Sequence, residues 1–280
     1  YLCSLPQNTT ELTKEIVLEW TKRKSFEATS TQLGRISLMR GLAEYMSRMG
    51  KKAYICPKSL VTVNRYSYTP YIFSKKEIAS IFYACDNFPA SKESPNRQII
   101  LSLVIRMIYG CGLRISEAVN LTISDVNLNE GTIFIKDTKF GKERLIPMAD
   151  TLKKRCREYS ILVLTGKSDT SYFFPSPFGG HYKSNTIYGL FRKVLWAAGI
   201  SHTGKGPRLH DMRHTYAVHC LKKWALANRD MTNCMPYLSA YLGHEDLRGS
   251  QRYLRLTADL YPDITSKVEK NCSWLIPEVN

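Results

Sequence analysis

The chain has 280 residues, enough for a substantial core in one or two domains. Hydrophobic residues make up 44% and charged residues 23%, which is ordinary for a soluble globular protein. Lys and Arg total 40 against 24 acidic residues, and a net charge of +16 favours polyanion partners, nucleic acid first among them. On charge alone, a basic protein without such a partner stays open.

No apolar run approaches the roughly 18 residues of a membrane span. The most apolar stretch, Ile99 to Ile108, is interrupted by Ser102 and Arg106. No membrane association is expected, and the cytoplasm is the expected location. The sequence opens on Tyr1 without a secretory signal pattern, so an N-terminal piece is expected to be missing. The eight cysteines are scattered, with no C-x-x-C pair, which points to reduced thiols rather than disulfides or zinc ligands.

In chain order, residues 11–49 read as helices. Leu12, Ile16, Val17 and Trp20 make one apolar face, with Thr10 as a candidate N-cap. Leu38, Leu42, Tyr45, Met46 and Met49 make a second, with Gly50 as a stop. Lys22, Arg23, Lys24, Arg35, Arg40, Lys51 and Lys52 interleave these faces, as either a solvated surface or DNA-backbone contacts. Pro57 and Pro70 break the helical pattern, so residues 51–70 read as a basic linker containing Lys58 and Arg65.

Ser74 and Glu77 predict a capping box opening a helix through Cys85. Residues 97–109 are apolar on most sides, as in a buried helix, and end at Gly110 and Gly112. A short helix is expected over 115–121. Thr132–Lys136 and Arg144–Met148 predict two strands of a small hairpin or meander, joined by a basic turn around Lys139. Helices are expected to dominate from there to the end. Thr165-Gly166-Lys167-Ser168 imitates the end of a phosphate-binding loop, but the upstream glycine position holds Ile161 and the signature fails.

Four local patterns carry chemistry together. They are Gly112-Leu113-Arg114-Ile115-Ser116-Glu117, Leu209-His210-Asp211-Met212-Arg213-His214-Thr215, Leu242-Gly243-His244, and Tyr253 nine positions after His244. Two guanidiniums can hold phosphate oxygens in a two-pronged grip and stay charged at any working pH. That is stabilisation aimed at the charge that develops when a phosphodiester is attacked.

In this order the patterns resemble the tyrosine recombinase (phage integrase) family, over most of the chain. The segment Lys142-Glu143-Arg144-Leu145-Ile146-Pro147-Met148 also looks like the family's strand after its lysine turn. The resemblance implies a mainly α fold with a small antiparallel β-sheet, in a two-domain C-shaped clamp. Residues 1–68 would be a helical DNA-binding domain and residues 69–280 the catalytic domain. It implies site-specific DNA recombination, set in the integration or excision of a mobile element, with duplex DNA as partner and no cofactor or metal. The implied catalytic residues are Arg114, Lys139, His210, Arg213, His244 and Tyr253. Tyr253 would be the nucleophile, its phenolate favoured by the cationic pocket. Lys139 would be the general acid for the departing 5′-oxygen. His244 would bond the phosphate, and His210 would do the same or help deprotonate the tyrosine.

Glu117, one turn from Arg114, would orient a neighbouring group or simply face solvent. Lys136 or Lys142 could replace Lys139, and Tyr261 is a rival nucleophile at a poorer spacing. The span from Arg213 to His244 is longer than is typical and predicts an enlarged loop around Ala227–Met235. In the apolar tail, Trp274, Leu275 and Ile276 would dock on the chain's own domain or on a neighbouring protomer, joining a homo-tetramer on DNA. The rival functions are a type IB topoisomerase and a DNA-binding protein without catalysis.

Overall fold

The computed structural model describes residues 11–61, 69–136, 141, 143–204, 206–244 and 248–260, the side chains of 248 and 258–260 excepted. The chain divides into two compact units, Tyr1–Thr69 and Pro70–Asn280.

In the first unit, α1 (Lys14–Thr21) packs with α2 (Thr29–Arg48) around Leu12, Val17, Ile36, Met39, Ala43 and Cys56. Three expectations change here. Thr13, not Thr10, caps α1, because its side chain accepts the Ile16 N–H. The fully buried face of α2 is Gln32, Ile36, Met39 and Ala43; of the expected stripe Leu42 and Met46 are half-buried against this core, while Leu38, Tyr45 and Met49 are 73%, 60% and 63% exposed. The stripe shifts because Gln32 can be buried: its amide donates to the Thr21 carbonyl at 3.1 Å. The start of the expected linker belongs to this core, since Ala53 bridges to Leu12 and Cys56 is buried.

Two of the interleaved arginines are structural. Arg35 holds the Lys22 carbonyl and the Glu27 carboxylate, and Arg40 holds the Cys56 carbonyl and Glu44. Lys22, Arg23, Lys24, Lys51 and Lys52 face solvent. Arg65 lies outside the described residues.

The second unit is mostly helical. Its helices are α3 (Lys75–Asp86), α4 (Arg97–Gly110), α5 (Ile115–Asn120), α6 (Asp150–Tyr159), α7 (Ser184–Ala197), α8 (Leu209–Leu226), α9 (Met231–Leu242) and α10 (Arg248–Leu260). The capping box at Ser74 and Glu77 is present in both directions. Helix α4 is the core's centre, with Ile100, Leu101, Leu103, Val104, Ile105, Met107 and Ile108 all buried. Each such side chain contributes roughly 1.5–3 kcal/mol of transfer free energy.

Strands β1 (Val126–Asn127), β2 (Thr132–Ile135) and β3 (Arg144–Pro147) form an antiparallel sheet in that order. Alternation sends Ile133, Ile135 and Ile146 inward and leaves Phe134 and Leu145 outside. The register sets Ile135 opposite Arg144, and the expected turn residues 137–140 and 142 lie outside the described residues.

Helix α8 lies between two cores. Leu209 and Met212 belong to the α4 core, while Ala217, Val218 and Leu221 pack with α9 and α10. The expected enlarged loop is absent: α8 and α9 are joined by only Ala227–Asp230. The extra residues went into helix because Met231 and Met235 are buried and Asp230 caps α9, accepting the Thr232 N–H. Among the described residues no helix is long and apolar enough to cross a membrane.

Candidate active site

Arg114 is placed by a turn that only glycine permits. Gly112 has φ +59°, and a Cβ there would lie 2.7 Å from Leu242 Cδ2 and 2.8 Å from Tyr216 Cδ1. Arg114 then occupies the N-cap of α5, and its backbone N–H donates to Glu117 at 2.8 Å. An acid in the first turn suits the positive end of the helix.

Glu117 is a buried anion among three cations. Its oxygens lie 2.7 Å from Arg114 Nη1, 2.8 Å from Arg144 Nη2 and 3.7 Å from Arg213 Nη1. Burial alone would raise its pKa, but Arg144, the Arg114 N–H and Arg213 outweigh that and hold it below the ordinary carboxylate range. The solvent-facing alternative for Glu117 is therefore overturned.

The same three arginines also share the end of α9. Arg144 Nε donates to the Tyr241 carbonyl at 2.9 Å, Arg213 Nη2 to the Leu242 carbonyl, and Arg114 Nη2 to the Gly243 carbonyl at 3.2 Å. A helix end leaves carbonyls unpaired and carries partial negative charge, so it is a natural seat for cations. Gly243 closes the helix in the left-handed region, at φ 64° and ψ 48°. Arg213 is 1% exposed and also donates to the Gly112 carbonyl at 2.7 Å. Desolvation and Arg114 push its pKa down to about 10, which leaves it a cation at neutral pH.

Residues 210, 213 and 214 are spaced three and four apart, so His210, Arg213 and His214 share one face of α8. The His210 and His214 rings meet edge-on, with centroids 4.6 Å apart. Part of His210 reaches solvent, yet the protein around the rest of the ring, with Arg213 and Arg114, pushes its pKa down to about 4. His244 follows α9, stacks on the Tyr253 ring with centroids 5.9 Å apart, and pairs through Nδ1 with Ser250 Oγ at 2.8 Å.

Tyr253, on α10, is 3% exposed, and its hydroxyl lies 2.9 Å from His214 Nδ1. The expectation that cations favour its phenolate is reversed. Burial raises the phenol's pKa, and Arg213, Arg252 and Arg114 offset only part of the rise.

The structure therefore gathers Arg114, His210, Arg213, His244 and Tyr253. Lys139, with its alternate Lys142 and the rival Tyr261, lies outside the described residues. Lys136, the other alternate, pairs with Asp125 at 2.9 Å.

Sequence reasoning passed over Arg144 and His214. Arg144 carries no motif of its own on β3, and its partners Glu117 and Tyr241 are distant in sequence. The signal for His214 was available: it sits one turn after His210 on the same helical face.

The phage integrase family model matches residues 72–259, most of the second unit. The chain is 30% identical over 277 residues to an integrase/recombinase of Sinorhizobium fredii, y4rB, covering 94% of this chain and 86% of that protein. The chain belongs to the phage integrase family. It is a tyrosine-type site-specific recombinase. It is also 31% identical over 162 residues to tyrosine recombinase XerC of Oceanobacillus iheyensis, covering 56% of this chain and 49% of that one. In fold, this recombinase resembles the XerH site-specific recombinase crystallised on its palindromic difH substrate in a post-cleavage complex. That match has a TM-score of 0.66 at 21% identity and covers 90% of this chain and 70% of XerH.

Proposed function

We propose that this recombinase cuts and rejoins duplex DNA at specific sequences through a covalent 3′-phosphotyrosine formed on Tyr253. The observation that carries this is the seating of Tyr253: its hydroxyl is 2.9 Å from His214, one residue along α8 from Arg213. The candidate nucleophile thus lies beside its candidate phosphate ligands within one chain.

Arg114 and Arg213 hold the non-bridging oxygens of the scissile phosphate, and His244 and His210 add hydrogen bonds. Desolvation, with Arg213 and Arg114 beside it, holds His210 neutral in the free protein, and an arriving phosphate anion favours its protonated, donating form. The Tyr253 oxygen forms a bond to phosphorus, the bond to the 5′-oxygen breaks, and Lys139 gives that oxygen its proton. Attack by a 5′-hydroxyl on the phosphotyrosine reverses the step, so rejoining needs no nucleotide cofactor. A hollow of about 400 Å³ beside Arg114, lined also by Asn120, Thr122, Lys136 and Tyr172, leaves room for backbone next to the phosphate.

Residues 1–68 serve as a second DNA-contacting domain. The copies assemble as a tetramer on DNA through the segment containing Trp274, Leu275 and Ile276, which lies outside the described residues. Integration or excision of a mobile element is the biological setting, in keeping with the integrase relative.

The test is adduct capture from a pool of nicked duplexes of randomised sequence, in which the short released strand diffuses away and religation fails. A denaturation-resistant protein–DNA adduct is expected, enriched in one sequence. Tyr253→Phe is expected to abolish it. An adduct that survives in that variant moves the nucleophile elsewhere, and captured DNA without a shared sequence removes the site specificity.

A further inference from the structure

The Tyr253 hydroxyl lies 2.9 Å from His214 Nδ1 on α8. The guanidinium of Arg213, one residue earlier on the helix, carries only donors and cannot take the phenol proton. A neutral imidazole can, and accepting it at Nδ1 requires the Nε2–H tautomer of His214.

The ring has little freedom to turn away. His214 packs edge-on against His210 and lies 5.5 Å, centroid to centroid, from Tyr253, whose ring is also stacked on His244. We infer that His214 is the catalytic base of this recombinase: it holds the Tyr253 hydroxyl and accepts its proton as the oxygen–phosphorus bond forms. The inference rests on Tyr253 being the nucleophile.

The proton balance is closed. The phenol O–H bond breaks, its proton goes to His214 Nδ1, and the leaving 5′-oxygen takes a different proton from the general acid. In the rejoining step the imidazolium returns its proton to the departing phenolate.

The electrostatics give this base a condition. Desolvation, then His210 and Arg213 on α8, Arg252 on α10 and His244 after α9, push the His214 pKa down to about 3. In the free protein His214 is a neutral acceptor and a weak base. A phosphate anion seated among these groups favours the imidazolium, so the tyrosine gains its base only when DNA is in place. This would limit attack by the nucleophile on anything else.

The experiment uses the full chain and the duplex recovered by adduct capture. It compares His214→Ala, and His214→Asn, whose amide oxygen can accept the hydrogen bond but not keep the proton. Both are expected to bind the duplex within about threefold of the parent. Both are expected to form adduct more slowly, by about 10²-fold or more.

In the parent, the adduct rate should fall as pH drops through the imidazole's pKa, because a protonated ring cannot accept. In His214→Asn that acid limb should vanish, and the rate should climb with pH as hydroxide takes the proton. Parent-like rates in either variant, or an acid limb retained in His214→Asn, overturn the role. If Tyr253→Phe loses the adduct while His214→Asn keeps the parental rate, only the base assignment falls. If Tyr253→Phe retains the adduct, the nucleophile assignment falls first.

Discussion

Three guanidiniums converge on Glu117, at 2.7, 2.8 and 3.7 Å from Arg114, Arg144 and Arg213. One carboxylate cannot neutralise them all, and the surplus positive charge is what a phosphate would meet. The cluster is poised: enough anion to let the cations be buried, too little to cancel them. Removing the anion should therefore be costly, because like charges are left together in a poorly solvated place. Glu117→Ala is expected to lower unfolding stability by about 3–5 kcal/mol, the usual loss when a buried ion pair is broken from one side. Denaturant titration of parent and variant measures it, and a loss below about 1 kcal/mol would show that Glu117 is not the group holding the arginines. The same balance explains why Tyr253 keeps its proton. Nearby cations do lower its pKa, but a ring that is 3% exposed loses more from desolvation than it gains from them.

At the scale of elements, the site is assembled from ends. The start of α5 supplies Arg114, the first turns of α8 supply His210, Arg213 and His214, and the end of α9 supplies three acceptor carbonyls. Helix ends suit this task because their backbone groups are unpaired and aimed outward. Gly243 is the pivot: it closes α9, and a Cβ on it would lie 2.7 Å from Arg144 Nη1. Arg144 is held by Glu117 and the Tyr241 carbonyl, so it cannot swing aside without giving up both. Gly243→Ala is expected to cost about 1–2 kcal/mol from the left-handed backbone alone. It should also slow adduct formation by disturbing Arg144 and the carbonyl that Arg114 uses. Gly34→Ala is the control, since nothing lies within 4 Å of its Cβ position in the interior of α2, and it should be neutral or stabilising. Equal melting temperatures for Gly243→Ala and the parent would remove the pivot.

For the whole molecule, the net charge of +16 implies that phosphate contacts supply most of the DNA affinity. Binding to the captured duplex, followed by fluorescence anisotropy, should weaken roughly 10³-fold or more between 50 and 200 mM salt, as about six or more phosphate contacts require. A nearly flat salt dependence would mean that the basic surface is not the binding surface. Not every cation takes part. Arg35 and Arg40 spend their donors on carbonyls and carboxylates of their own unit, whereas Lys22, Arg23, Lys24, Lys51 and Lys52 face solvent, where the pairings of Lys22 with Glu19, Arg23 with the Glu27 carbonyl and Lys52 with Glu11 are exposed and cheap to exchange.

Local sequence determined what is local. The capping box at Ser74, the apolar run of α4, the alternation of β2 and β3 and the glycine stop of α2 each depend on residues within about one turn or one strand. The ordered motifs also pointed to the family, because their spacing survives in one dimension. Tertiary structure alone decided how far the inward stripe of α2 rotates, keeping Leu42 and Met46 at its margin and admitting Gln32, whose amide is satisfied by the Thr21 carbonyl. It alone seated His214 on Tyr253, 39 positions away, and Arg144 on Glu117, 27 positions away. And it decided whether the tyrosine's pocket is governed by charge or by dryness. The strength of a charge depends on how much water is left around it, and only packing in three dimensions removes water.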